Sequence, residues 1–156
     1  LVYGILFSCL MASPLSAMDY QLVPQAVAKD TYVFVGMTED FTPGNGGNIV
    51  NTGFVVTDRG VIVIDTGPSL HYGKQMRAAI ARVTDKPVAR VYNTHLHPDH
   101  FLGNQAFEDV PILALEKTIA GIQAHGDRFA DNLYRLVDRW MQGTQPLVPS
   151  GVVCDR

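Results

Sequence analysis

Three of the chain's five histidines lie within six residues of one another, in the stretch THLHPDHFLGN. His95 and His97 are two positions apart, so both imidazoles can project to the same side of an extended segment or an open turn. Two imidazoles and a later ligand leave one position open for water, as in a catalytic zinc site. The adjacent Asp99 and His100 point to different sides and can hold a second ion. The spacing therefore predicts a metal centre.

The predicted centre suits hydrolysis. Two metal ions about 3.5–4 Å apart can share a hydroxide and polarise a carbonyl or phosphoryl oxygen, and zinc lowers the pKa of its bound water to about 7. Imidazole with carboxylate favours zinc but also admits iron or manganese. The alternative is a polar surface loop whose histidines only contact solvent. His71 and His125 stand alone, and we expect neither to take part in chemistry.

A hairpin, a helix and a strand are predicted before the histidines. The runs NIVNTGFVVTD and GVIVIDTG around Asp58–Gly60 favour a β-hairpin, preceded by a strand at Thr31–Gly36. Val61–Ile64 is apolar at every position, which is typical of a strand buried on both faces. Ser69 can cap a helix. The apolar positions of that helix recur at helical spacing: Tyr72, Met76, Ala79, Ile80 and Val83.

The strand Val88–Asn93 leads directly into the histidines, and PILAL predicts a further strand after them. Residues Glu116–Met141 have a helical pattern, and Gly121 and Gly126 favour two helices rather than one. The second would carry its large apolar side chains on one face: Phe129, Leu133, Leu136, Val137 and Trp140. Strands alternating with helices predict an α/β layered domain.

Composition and the first residues narrow the class of protein. The chain has 156 residues, is 47% apolar and carries a net charge of −3, which indicates a globular domain and excludes a nucleic-acid partner. Residues 1–17 are uncharged and too short to span a bilayer, so we expect a signal peptide and a periplasmic or secreted protein. A core strand or a membrane anchor is the alternative. Residues 18–30 would then be a lead-in, and residues 31–156 the domain.

The motif THLHPDH resembles the H-x-H-x-D-H signature of the metallo-β-lactamase superfamily, and VIVIDTG is similar to that family's buried strand ending in Asp-x-Gly. The resemblance implies that His95 and His97 bind a first zinc ion. Asp99, as a catalytic residue, and His100 would bind a second. Asp65 and Thr94 would orient the ligand loop without binding metal.

The implied activity is that of a zinc-dependent hydrolase, in which a metal-bound hydroxide attacks an ester, thioester or lactam-type carbonyl of a small-molecule substrate. Two longer stretches, TEDFTPGNGGNIVNTGFVVTDRGVIVIDTGPS and DNLYRLVDRWMQGT, resemble the periplasmic, SoxH-like quinoprotein relay system zinc metallohydrolases. The loop Asn45, Gly46, Gly47 and Asn48 would lie beside the metal cleft and contact substrate.

The family's fold is an αββα sandwich of two similar halves, and the resemblance covers the first half only, roughly residues 31–115. The family's remaining metal ligands come later in the chain, whereas His125 is the only histidine after His100. We therefore expect a domain truncated at its C-terminus that self-associates or pairs with the missing half. The alternative function is a non-catalytic metal-binding half-domain or interaction module.

Overall fold

The structure, a computed structural model, describes residues 18–153. The predicted signal peptide, residues 1–17, and Cys154 lie outside the described residues. One mixed sheet contains seven strands in the order of the chain. The strands are β1 (Gln25–Ala28), β2 (Thr31–Phe34), β3 (Thr52–Thr57), β4 (Gly60–Ile64), β5 (Val88–Tyr92), β6 (Ile112–Ala114) and β7 (Gly151–Val152). The helices are α1 (Leu70–Ala81), α2 (Pro98–Phe101) and α3 (Glu116–Val137), with 3-10 turns at Asn104–Phe107 and Asp138–Met141.

The sheet changes direction at its centre. Strands β1 to β4 pair antiparallel, and β4 to β7 pair parallel. Helix α1 connects β4 to β5, and α3 connects β6 to β7, as parallel pairing requires a crossover. The predicted α/β layered class and the hairpin at Asp58–Gly60 are therefore confirmed.

Helix α1 forms as its sequence predicts. The Ser69 hydroxyl accepts a hydrogen bond from the Tyr72 backbone N–H at 3.1 Å, which satisfies one of the free N–H groups of the first turn. The buried side of α1 then packs on the sheet: Tyr72, Met76, Ala79 and Ile80 with Phe54, Val63 and Val91. This packing fixes the carboxyl ends of β4 and β5 relative to one another.

The two faces of the sheet differ, which corrects the prediction for β4. Val61 and Val63 are completely buried under α1, but Ile62 and Ile64 are only half-buried. Further half-buried apolar residues lie on the same face as Ile62, as the strand register shows: Val33, Val55, Tyr92 and Leu113. The hydrophobic run therefore did not distinguish a strand covered on one face from a strand covered on both.

The prediction of two helices after Glu116 is wrong, because α3 is one helix of 22 residues that passes through both glycines. A Cβ at Gly121 would lie 3.3 Å from Leu96 Cδ2, and one at Gly126 would lie 2.9 Å from Pro146 Cβ. Neighbouring segments occupy the space that side chains would fill at these two positions, and this packing offsets the low helix propensity of glycine. His125 lies inside α3, and Leu136 is 48% exposed rather than on the buried face.

The lead-in has more structure than its sequence suggests. It contains the edge strand β1, whose residues are all exposed, and a buried anchor, Tyr20. The Tyr20 ring packs on Tyr72 of α1 and on Trp140, and its hydroxyl donates to Gly46 O at 2.9 Å. Within residues 18–153 no helix is long and apolar enough to cross a membrane.

Candidate metal centre

The histidine segment begins where β5 ends, at the carboxyl edge of the parallel strands. His95 to His97 remain outside helical structure, and His97 is extended with φ −68° and ψ 141°. Pro98 occupies the first position of α2, where its missing N–H costs nothing. Asp99 and His100 follow in the first turn of that short helix. The segment therefore presents two imidazoles before α2 and one carboxylate and one imidazole on it.

The predicted ligands lie together. The ring centroids of His95 and His97 are 4.7 Å apart, and those of His95 and His100 are 3.9 Å apart. A carboxylate oxygen of Asp99 lies 3.7 Å from His100 Nε2. His97 is exposed, whereas His95, Asp99 and His100 are half-buried. The arrangement is a compact group of three imidazoles and one carboxylate at the surface.

Asp65 connects this group to the end of β4. Its side chain is 3% exposed, and its backbone has a φ of 58°, which is uncommon for a residue other than glycine. Its Oδ1 accepts the Thr94 backbone N–H at 2.8 Å. Its Oδ2 accepts the Thr94 hydroxyl at 2.7 Å and lies 2.8 Å from His100 Nδ1. One carboxylate thus orients both ends of the segment, and the backbone strain at Asp65 is offset by these bonds.

The same bonds determine which ring nitrogens are free. The Thr94 hydroxyl has one proton, which it donates to Asp65, so at 2.9 Å it accepts from His95 Nδ1. His100 Nδ1 likewise donates to the Asp65 carboxylate, which only accepts when ionised. In their neutral forms His95 and His100 therefore both carry the proton on Nδ1, and each presents an unprotonated Nε2.

Burial, with the nearby rings of His100 and His97, lowers the pKa of His95 below its usual value. Desolvation disfavours the charged imidazolium, and the like charges of protonated neighbours act in the same direction. A lowered pKa keeps His95 neutral near pH 7. Neutral imidazole is the form that binds metal.

The donor types fit a divalent transition metal, because imidazole and carboxylate are the ligands of zinc, iron and manganese sites. Their geometry is not closed around one ion. Among residues 18–153, no three side chains of the types His, Cys, Asp and Glu are arranged to hold a metal ion. The paired bonds of Asp65 orient the donors, but the described part of the chain does not complete a coordination shell.

The predicted substrate loop lies against the turn that follows Asp65. Gly47 packs on Pro68, and Gly46 packs on the Trp140 ring. Asn45 is bonded within the loop, and its Nδ2 donates to Asp40 O at 2.8 Å. In the described residues, Asn48 Oδ1 is buried and has no hydrogen-bond partner. The structure thus gives the loop one unused buried acceptor.

Sequence reasoning missed a buried polar network behind the ligand segment. Asn93, Asn104 and Thr66 are almost fully buried and hydrogen-bonded to one another. The Gly103 backbone approaches so closely that a Cβ there would lie 2.0 Å from Thr66 O. The signal in the sequence was the two asparagines on either side of the histidines, at the end of β5 and after α2.

The family model of the metallo-β-lactamase superfamily matches residues 45–142, which include the hairpin, Asp65 and the histidine segment. The chain therefore belongs to the metallo-β-lactamase superfamily, a family of the hydrolase type. The resemblance stated from the motifs is confirmed.

Solved structures share this fold at low sequence identity. A metallo-β-lactamase from Pontibacter korlensis superposes with a TM-score of 0.61 and 16% identity, covering 86% of this chain and 54% of that one. A metallo-β-lactamase from Hirschia baltica superposes with a TM-score of 0.58 and 18% identity, covering 86% of this chain and 53% of that one. A double mutant of the sec-alkyl sulfatase PisA1 superposes with a TM-score of 0.52 and 18% identity, covering 70% of this chain and 17% of that one. The chain spans about half the length of the lactamases it matches.

A relative of higher identity matches a shorter stretch. The linear primary-alkylsulfatase of Pseudomonas sp. (strain ATCC 19151) is 40% identical over 48 residues, which make up 31% of this chain and 9% of that protein. The chain thus spans a small part of this relative.

Proposed function

We propose that the chain contributes the N-terminal part of a metal-dependent hydrolase, with His95 and His97 as ligands of one ion and Asp99 and His100 as ligands of a second. The observation that carries this proposal is the pair of bonds from Asp65, which leave Nε2 of His95 and His100 unprotonated. Zinc, when bound, would supply a Lewis acid and lower the pKa of a water molecule to about 7.

The chain's own residues would bind the metal ions and orient the imidazole ligands. The Asp65 carboxylate fixes the rotation of the His100 ring directly and that of the His95 ring through Thr94. Residues that hydrogen-bond to the metal ligands in this way typically contribute about 10–100-fold to metal affinity. Asp99, beside His100 Nε2, would supply a negative charge to the second ion and accept a proton during turnover.

The substrate is proposed to carry an ester, thioester or lactam-type carbonyl. A sulfate ester is a second candidate, favoured by the 40% identity to a linear primary-alkylsulfatase. The loop Asn45–Asn48, which packs against the turn after Asp65, is proposed to contact it. An Asn48→Ala variant should then raise KM without changing zinc affinity.

The deciding experiment is a hydrolysis assay of the full chain with added Zn²⁺ on four substrates: nitrocefin, an acyl thioester, a small aryl ester and a linear alkyl sulfate. We expect zinc-dependent turnover of at least one substrate, abolished in His97→Ala and kept in His125→Ala, whose histidine is exposed on α3. Zinc binding without turnover of any substrate would favour the alternative, a non-catalytic metal-binding half-domain. Turnover that survives His97→Ala would refute the ligand assignment.

Location and assembly are further parts of the proposal. The uncharged residues 1–17 support export to the periplasm, and the resemblance to quinoprotein relay metallohydrolases supports a role beside a quinoprotein dehydrogenase. The half-buried sheet face supports self-association or pairing with a second half-domain. Fractionation of expressing cells, with N-terminal sequencing of the exported protein, tests the proposed export to the periplasm.

A further inference from the structure

The backbone carbonyl of His100 accepts hydrogen bonds from buried polar groups. It accepts the Thr66 backbone N–H at 2.9 Å, and Asn93 Nδ2 approaches it at 3.4 Å. These donors come from the ends of β4 and β5, two strands that are themselves paired. His100 is therefore bonded at its backbone carbonyl as well as at its imidazole, and by different residues.

Asn104 is the centre of this network. Its Oδ1 accepts the Thr66 hydroxyl at 2.9 Å and Asn93 Nδ2 at 3.1 Å. Its Nδ2 donates to Asn93 Oδ1 at 2.8 Å and to Leu147 O at 2.9 Å. The residue is completely buried, and all four hydrogen-bonding positions of its carboxamide are used.

These bonds permit one orientation of the carboxamide. A flipped Asn104 would place its Oδ1 against Leu147 O and Asn93 Oδ1, two oxygens that only accept, so both of these bonds would be lost. The reciprocal pair with Asn93 also aligns Asn93 Nδ2 towards His100. A fully satisfied buried network of this kind rigidifies the segments it joins.

We propose that Asn104 is a positioning residue of the metal centre: through Asn93 and Thr66 it fixes the His100 carbonyl, and thereby the orientation of the ligand segment. This rests on the proposed function in so far as the segment binds metal. Asn104 also joins the segment to residue 147, so the chain after α3 contributes to the same positioning.

Thr66 and Thr52 provide a matched pair for the test. Both threonines are at least 98% buried, and each hydroxyl has a short side-chain partner: Asn104 for Thr66, and Tyr72, on α1, for Thr52. A Thr→Val change is isosteric at both positions. Thr66→Val acts on the network, whereas Thr52→Val removes a comparable buried bond elsewhere. Asn104→Ala is the stronger variant, and Thr66→Val is the milder one should Asn104→Ala fail to fold.

Two readouts separate positioning from general stability. The first is hydrogen exchange of the residue 66 amide, whose partner is His100 O, in the metal-free full chain. The second is the affinity for Co²⁺, followed by its absorption well below the melting temperature. We expect Asn104→Ala to accelerate the exchange and to weaken Co²⁺ binding by about 10–100-fold. Thr66→Val should shift both in the same direction by less, and Thr52→Val should leave both unchanged.

The comparison is made between variants that have lost the same amount of melting temperature. The positioning role is overturned if the residue 66 amide then exchanges no faster in Asn104→Ala and Thr66→Val than in Thr52→Val. Absence of saturable Co²⁺ binding in the unsubstituted chain would instead refute the proposed function, and the exchange rates would still decide the role of Asn104 in holding the segment.

Discussion

Asp65 and His100, 35 positions apart in the chain, are joined by a 2.8 Å hydrogen bond between Oδ2 and Nδ1. Asp65 ends the hairpin and His100 lies on α2, so the bond connects the two sequence motifs that carry the family resemblance. The same oxygen accepts the Thr94 hydroxyl. One buried carboxylate therefore sets the tautomer of two imidazoles.

Replacing Asp65 by Asn should weaken Zn²⁺ binding by about 10–100-fold. Asparagine tolerates a positive φ, so the backbone is kept, but its NH₂ group would face the donors on Thr94 or His100. Competition titration against a chromophoric chelator measures the affinity. Asp138→Asn is the matched control, because Asp138 also has a positive φ, of 53°, but is exposed at the end of α3. Equal losses in both variants would contradict the role of Asp65.

The hydrogen bonds predict that neutral His95 and His100 carry their protons on Nδ1 in the metal-free chain. The ¹⁵N chemical shifts of the imidazoles report the tautomer directly. Thr94→Val removes the acceptor of His95 Nδ1 and should release that ring to a mixture of tautomers, whereas Thr94→Ser should retain the single form. A mixture at His95 in the unsubstituted chain would contradict the assignment.

Gly103→Ala should lower the free energy of unfolding by about 3 kcal/mol, because overpacking a tightly packed site forces the backbone to shift. The added Cβ would lie 2.0 Å from Thr66 O, in the contact between α2 and the turn after β4. Denaturant unfolding measures the loss. The control is Gly44→Ala, whose nearest neighbour, Thr42 Oγ1, is 3.6 Å away, so a change within about 0.5 kcal/mol is expected. A Gly103→Ala variant as stable as Gly44→Ala would refute the close contact.

Local patterns in the sequence were sufficient to predict much of this fold. Ser69 caps α1, the hairpin turns at Asp58–Gly60, and β5 leads into the histidines, because each depends on residues that are neighbours in the chain. The continuity of α3 depends on Leu96 and Pro146, which pack against its glycines from elsewhere. Propensity within one segment could not reveal these contacts.

The candidate site was predicted by residue type, and its supporting contacts were not. The spacing of His95, His97 and His100 identified the donors. The role of Asn104, in contrast, follows from four hydrogen bonds to three residues on other elements, Thr66, Asn93 and Leu147. An asparagine in a loop is typical of turns, so its burial could be learned only from the fold.

The half-buried sheet face should make the chain associate in solution, because Val33, Val55, Ile62, Ile64, Tyr92 and Leu113 form a contiguous apolar surface across five strands. Ile64→Glu places a charge within this surface, opposite Tyr92 on β5, and should shift the chain towards monomer. Light scattering at several concentrations measures the effect. Leu136→Glu on α3, where Leu136 is 48% exposed, should leave the association unchanged. A monomeric unsubstituted chain at all concentrations would contradict this.

The most direct test of the central claim, that the segment from His95 to His100 binds a divalent metal, is elemental analysis of the purified chain after loading with Zn²⁺ and mild dialysis. The account predicts that the unsubstituted protein retains zinc, that His97→Ala loses most of it, and that His125→Ala retains as much as the unsubstituted protein. Zinc absent from the unsubstituted chain, or retained equally by His97→Ala, would contradict the claim.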